Sequence, residues 1–426
     1  MTEISFVLSN VEEREQELIA LLSDLVQFST PSPPARNTSD IQQYIADYLQ
    51  NIGCSIDKWD VYPNDPNVVA FQQGTDSTNY NSLILNGHVD VASIEEGEPW
   101  VTPPFNATVK GRTIYGRGVA DMKGGVAACL FALKLLHEAG IELKGDVLLQ
   151  SVIGEEVGEA GTKQCCERGY KAEFAIVADT SHCAIQGQGG VITGWVTVKS
   201  PQTHHDGMRR QMIHAGGGLF GASAIEKMAT LINGLQELER HWAITKSYPG
   251  FPAGANTINP AVIEGGRHAA FIADECALWI TVHFYPNESY ESVTKEIEEH
   301  LLAVAAADPW LRENPPLFRW GGNSMIEDRG EVFPSLAIDK SWPGLKKLSS
   351  VHHKVFSTKP EVSMSQTVTD GGWLGHANIP TVIYGPGQLK DAHAVNEQLS
   401  IDELITYTKT LIQFIYEWCN SKKEES

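Results

Sequence analysis

Leu18, Leu21, Leu22, Leu25 and Val26 fall three or four positions apart, so residues 11–28 read as an amphipathic helix with one apolar face. The TPSPPARNTSD stretch breaks that helix; Asp40 is placed to cap a second one, which runs to Leu49 and stops at Gly53. Strand-like runs follow at 55–62 and 67–71. Three short apolar runs then end on residues of another kind. SLILN (82–86) leads into Gly87-His88-Val89-Asp90, DVLLQSVI (146–153) into Gly154-Glu155-Glu156, and FAIVA (174–178) into Asp179. Short apolar strands separated by helices predict a sheet covered on both faces. Functional residues in such sheets gather where strands end, so these three ends are expected near one another.

After Cys183 the pattern changes. Residues 191–199 alternate like a half-exposed strand, and a loop rich in glycine and histidine spans 201–218. Residues 222–239 read as a helix, a loop rich in proline and glycine reaches Gly266, 275–285 reads as a strand and 290–306 as a helix. The expectation is an α/β chain. Residues 1–187 and 312–426 form a catalytic domain with a mixed sheet covered by helices on both faces, and 188–311 form an inserted α+β domain. The strand 381–384 and a terminal helix, 400–419, complete the first domain.

Composition narrows the choice of partner. A chain of 426 residues is long for one core, which agrees with two domains. Its formal charge of -21 argues against nucleic acid and anionic membranes, both polyanions. The first residues, MTEISFVLSNVEEREQ, show no basic region followed by an apolar core, so no signal peptide is expected. No run approaches the roughly 18 apolar residues of a membrane span. Seven cysteines, an odd number without a CxxC pair, read as free thiols in a reducing cytoplasm.

Candidate chemistry centres on Gly116–Gly125, GRGVADMKGG. It sets four glycines and Asp121 between a strand (108–115) and an apolar helix (126–139). Read alone this is an ordinary tight turn. A single Asp or Glu is also usually a solvated surface group. The strand ends change that reading: His88, Asp121, Glu156, Asp179 and His393 together offer imidazole and carboxylate ligands suited to zinc, cobalt or manganese. An acid fixed in a glycine turn suits a bridge between two metals. Asp90, two residues past His88, is placed to accept the other imidazole N–H. Glu155 and Glu156 are adjacent and diverge, so one can bind metal while the other acts as general base.

GHVD (87–90), GRGVADMKGG, GEE (154–156), Asp179 and GPG…AHAVNE (385–387, 392–397) resemble the dinuclear-zinc deacylases and peptidases. That family includes acetylornithine deacetylase, succinyl-diaminopimelate desuccinylase, aminoacylase and glutamate carboxypeptidase. The likeness extends over about residues 11–409, with the motifs in order. It implies that His88 and Asp179 hold one metal, Glu156 and His393 the other, and that Asp121 bridges them. Glu155 would be the acid/base, Asp90 would orient His88, and the Asp121–Met122 peptide would be cis. The inserted region resembles the family's lid, through which some members dimerise. His214, in MIHAGGG, stands where relatives place a histidine that stabilises the oxyanion, and Asn259 where an asparagine contacts substrate.

Arg209, Arg210 and Arg267 are candidates to clamp an anionic substrate. Against this, Gly371 and Gly372 follow Asp370 where the family often has arginine, which points away from a peptide carboxylate. The expected reaction is hydrolysis of a small N-acylated amine, with removal of an acetyl, formyl or succinyl group. The resemblance suggests an acetylornithine deacetylase-like enzyme or one like the formylaminopyrimidine deformylases, whose sequences carry a similar PPARNT start. A di- or aminopeptidase is the alternative within the family. A metal-free binding protein is the alternative outside it, and it predicts lost ligands where this chain keeps all five and the base.

Overall fold

The computed structural model describes residues 3–159 and 161–423, with His214 described by its backbone alone. The chain forms two compact units, Met1–Gln188 with Leu336–Ser426, and Gly189–Ser335. The chain returns to the first unit at 335/336 rather than at 311/312, because Leu317–Trp320 and Val332–Phe333 both pair with the Gly190–Lys199 strand of the inserted unit.

The first unit is built on an eight-stranded mixed sheet. From edge to edge its strands are Val362–Ser365, Ile185–Gln188, Thr381–Ile383, Phe174–Val177, Leu83–His88, Val147–Val152, Asp65–Gln72 and Ser55–Tyr62. Leu83–His88 runs parallel to both Val147–Val152 and Phe174–Val177, which is itself parallel to Thr381–Ile383. These strands are buried throughout and mostly apolar, because both faces are covered. Leu83, Leu85, Val147, Leu149, Phe174 and Ile176 join the larger core, with Glu15–Gln27, Lys123–Glu138, Pro343–Phe356 and Ile401–Cys419. Their neighbours Ile84, Leu148 and Ala175 point the opposite way, toward Cys165 and Leu374 on the short helices Gly161–Glu167 and Gly371–His376.

Several local expectations are corrected. The first helix divides at Arg14 into Glu3–Glu13 and Glu15–Gln27. Asp40 does not cap the helix Ser39–Asn51. The buried Asp65 instead pins the segment that leads into it, accepting the N–H groups of Arg36, Asn37 and Thr38 and the Thr38 hydroxyl. The run 108–115 is a hairpin of Thr108–Lys110 and Thr113–Tyr115, and Gln398–Ser400 pairs with its second arm.

The inserted unit carries an antiparallel sheet in the order Ile258–Gly265, Glu275–Phe284, Gly190–Lys199, Leu317–Trp320. The helices Ala224–Thr245 and Tyr290–Ala307 pack on it around Met228, Leu231, Ile297 and Leu301. Ile258–Gly265 lies inside the stretch read from sequence as a loop.

Candidate metal centre

Strand register carries the ligands to one end of the first unit's sheet. His88 is level with Val152, just before Gly154-Glu155-Glu156, and Asn86 is level with Val177, two residues before Asp179. The helix Lys123–Glu138 begins against Ala178. A Cβ on Gly125 would stand 1.9 Å from the Ala178 carbonyl oxygen, so only glycine allows this approach. Gly118 has φ +86°, and the Asp121–Met122 peptide is cis. His393 arrives from far downstream because Gln398–Ser400 pairs with the strand that enters this turn; it adopts a left-handed φ of 57°.

The two oxygens of Asp121 face different histidines. Oδ1 is 3.3 Å from His88 Nε2, and Oδ2 is 3.3 Å from His393 Nε2. His88, Asp121 and Asp179 form one group with its ligand atoms within 4.8 Å of each other; Asp121, Glu156 and His393 form a second. His393 Nε2 lies 2.8 Å from Glu156 Oε2. Glu155 belongs to neither group, and its Oε2 stands 3.8 Å from His88 Nε2.

Buried atoms left over at this site test the fit of a metal. His88 Nε2 and Glu156 Oε1 are buried without a hydrogen-bond partner. Two imidazoles and three carboxylates are a donor set for a borderline divalent ion. The carboxylates also repel one another. Burial and the charge of Asp121 push Asp179 up to about 7. Burial raises Glu156, and burial with Asp179, Glu156 and Asp370 raises Glu155 well above the ordinary carboxylate range. Burial opposes ionisation of Asp121, but His393 and His88 outweigh it and hold its carboxyl low. Asp121 and Glu156 raise His393 to about 11. Cations would relieve the crowding of like charge, so the residues fit a dinuclear metal site.

Asp90 plays a different part from the one expected. Its backbone carbonyl, not its carboxylate, lies 2.9 Å from His88 Nδ1; the nearer carboxylate oxygen is 3.6 Å away. The carboxylate instead accepts the N–H groups of Gly154 (2.9 Å) and Glu156 (3.0 Å), and so fixes the turn that presents Glu155 and Glu156. Arg36, in the PPARNT segment, braces the same turn. Its guanidinium makes two bonds to Glu159 (2.8 and 2.7 Å), whose N–H closes on the Gly154 carbonyl at 2.7 Å.

Glu397, the last residue of AHAVNE, is the support that sequence reading misses. Fully buried, it accepts Ala120 N–H (2.8 Å) and Asp121 N–H (3.0 Å) on one oxygen, and Gly118 N–H (3.0 Å) and Arg117 Nη1 (2.9 Å) on the other. Arg117 also reaches the carbonyls of His393 and Ala394. The pair thus joins the Asp121 turn to the His393 segment. Glu397→Ala leaves a buried guanidinium unpaired, and we expect it to cost about 3–5 kcal/mol of stability, read by denaturant unfolding. A loss below about 1 kcal/mol would contradict this bridging role.

The remaining candidates lie in the inserted unit. His214 sits in the short turn Ile213–Ala215, and its side chain lies outside the described residues. Asn259 is exposed on the edge strand. Arg209 is exposed and paired with Glu226 at 2.5 Å, and Arg267 with Asp274 at 2.8 Å and the Thr203 hydroxyl at 2.9 Å. Arg210 is exposed.

The model of Peptidase family M20/M25/M40 matches residues 84–417. An N-formyl-4-amino-5-aminomethyl-2-methylpyrimidine deformylase of Halalkalibacterium halodurans is 66% identical over 420 residues, 99% of this chain and 98% of the relative. The deformylase of that name from Bacillus subtilis is 64% identical over 415 residues, 97% of each chain. Among solved structures, a dinuclear metal binding peptidase from the M20 family of Bacillus subtilis has a TM-score of 0.65 at 17% identity, covering 96% of this chain and 99% of that one. That likeness concerns the fold alone.

Proposed function

The chain belongs to peptidase family M20/M25/M40, and from that premise we propose that it removes the formyl group of N-formyl-4-amino-5-aminomethyl-2-methylpyrimidine. It is a metal-dependent hydrolase that takes a short acyl group from an amine. The observation that carries the site assignment is Asp121 with one oxygen in each ligand group and Glu155 outside both. The choice of substrate rests on the near-full-length identity to the two deformylases.

His88 and Asp179 are assigned to one ion, Glu156 and His393 to the other, and Asp121 to both. Two divalent ions, zinc in our reading with cobalt or manganese as alternatives, supply Lewis acidity that polarises the formyl carbonyl and makes water more acidic. Glu155 takes the proton of the attacking water and returns it to the amine as the C–N bond breaks, giving formate and the free aminomethylpyrimidine. Burial and neighbouring carboxylates already raise its proton affinity, which suits a group that must hold a proton between the two steps. Asp90 and Arg36 hold its turn in place. The oxyanion role of His214 rests on the resemblance of its segment. A substrate without a carboxylate needs no arginine after Asp370, and Arg209 and Arg267 remain in their own ion pairs.

Formate release from a substrate panel tests this reading. We expect kcat/KM for the formylaminopyrimidine to exceed that for N-acetylornithine, N-succinyl-diaminopimelate or dipeptides by about 100-fold or more. A dipeptide turned over as fast would favour the peptidase reading instead.

We also assign a homodimer through the inserted unit. Its edge strand is exposed from Asn259 to Gly265 and carries Val262 (40% exposed) and Ile263 (53%), and Ile225 (43%) on the neighbouring helix lies against Gly265 of the same strand. An exposed apolar edge invites a second strand. Val262→Lys with Ile263→Glu should weaken dimerisation roughly tenfold or more in sedimentation equilibrium. A wild-type chain that sediments as a monomer at micromolar concentration would end this assignment. Six of the seven cysteines are buried and all are free, which supports placement in a reducing cytoplasm. Among the described residues no helix is long and apolar enough to cross a membrane.

A further inference from the structure

The sheet of the first unit has a second end, and it is not bare. Where the metal ligands follow the last residues of the parallel strands, a cavity of about 770 Å3 opens beside the first ones: Phe174 begins its strand, and Pro380 and Asn81 stand one and two residues before theirs. That volume is typical of small-molecule sites. Its lining is mostly apolar, with the buried rings of Phe174 and Trp418 5.7 Å apart and Trp342 half-buried beside them.

The charge here runs against the rest of the molecule. A chain with a formal charge of -21 lines this cavity with Lys346, Lys347, Lys422 and Lys423 and a single acid, Glu173. Glu173 is already occupied by Lys423 (2.7 Å) and by the N–H and hydroxyl of Ser82 (2.8 and 2.6 Å). Lys347 leans on Glu417 at 3.4 Å. Lys346 and Lys422 have no carboxylate within 4.0 Å among the described residues. The half-buried face of Trp342 can receive a flat ring, and the ammonium groups of Lys346, which acts only at longer range on Asp339, and Lys422 can receive an anion. We propose that this cavity is a second ligand site, separate from the metal centre, for a small aromatic or heterocyclic compound bearing a carboxylate, sulfonate or phosphate.

The proposal is independent of which acyl group the metal centre removes. The test is calorimetric titration of the metal-loaded protein with 1-anilinonaphthalene-8-sulfonate, an aromatic anion. One saturable equivalent is expected, with formate release from substrate unchanged. Lys346→Glu with Lys422→Glu should weaken binding about tenfold or more. Ser350→Trp, at an exposed position of the lining, should abolish it by filling the space. Both variants should keep the wild-type kcat/KM within about twofold, which shows that they fold. No saturable binding, or equal binding by wild type and both variants, overturns the proposal. So does a probe that binds only after residues 424–426 are deleted, since the chain's own end would then be the occupant.

Discussion

Glu155→Ala is expected to lower kcat for deformylation by about 10³-fold while the protein still holds two metal ions per chain. The expectation follows from where Glu155 stands. Its Oε2 is 3.8 Å from His88 Nε2, yet it belongs to neither ligand group, because Gly154-Glu155-Glu156 turns its two acids apart. Glu156 faces His393 at 2.8 Å and Glu155 is left free to move a proton. The turn itself is held by Asp90 and by the Arg36–Glu159 pair, neither of which the substitution touches. KM should therefore change little, since the lost interaction belongs to the transition state. Initial rates of formate release and elemental analysis of the same preparation decide it. A kcat within tenfold of wild type would move the base to another residue.

Asp121→Ala should have the larger effect on composition: both metals are lost, and turnover falls to background. One carboxylate serves both groups, so its removal opens two sites at once, whereas His88→Ala or His393→Ala removes a ligand from only one. The neighbouring acids add to the loss. Asp179 and Glu156 are buried among like charges, and without a bridge their protonation competes directly with metal. Elemental analysis should find less than about half an equivalent in Asp121→Ala and about one in either histidine variant. Two equivalents retained by Asp121→Ala would exclude a bridging role.

How much of this was legible depends on the distance over which each feature is determined. The strands bearing His88, Glu155 and Asp179 could be read because buried parallel strands are continuous apolar runs, and the change to acid or histidine marks their ends. Asp121 stood out through glycines that allow the backbone to approach Ala178. His393 did not stand out by periodicity. It reaches the centre through a three-residue strand pairing across the chain; its imidazole made it a candidate ligand, and the resemblance of AHAVNE to a known motif gave it a place in the pair of sites. The braces were the least visible part. Arg36, Asp65, Glu159 and Glu397 look like surface charges in sequence, because nothing local says that their partners lie far along the chain. Asp90 was found but given the wrong bond: spacing placed its side chain near His88, and the backbone N–H groups of the next turn claimed it.

The inserted unit was read less well for a related reason. Ile258–Gly265 is an edge strand with one buried residue and an internal proline, so it shows no alternation. Leu317–Trp320 and Val332–Phe333 are too short to stand out, and they carry the unit 24 residues beyond the expected boundary at 311. Pro343–Phe356 was more accessible. Proline in its first turn and Leu345, Leu348 and Val351 on one face are helix signals that the reading passes over.

Anomalous scattering from crystals of the metal-loaded protein tests the dinuclear centre most directly. The account predicts two peaks, one against His88 and Asp179 and one against Glu156 and His393, each in contact with a different oxygen of Asp121. A single peak, or two peaks that do not share Asp121, would contradict it.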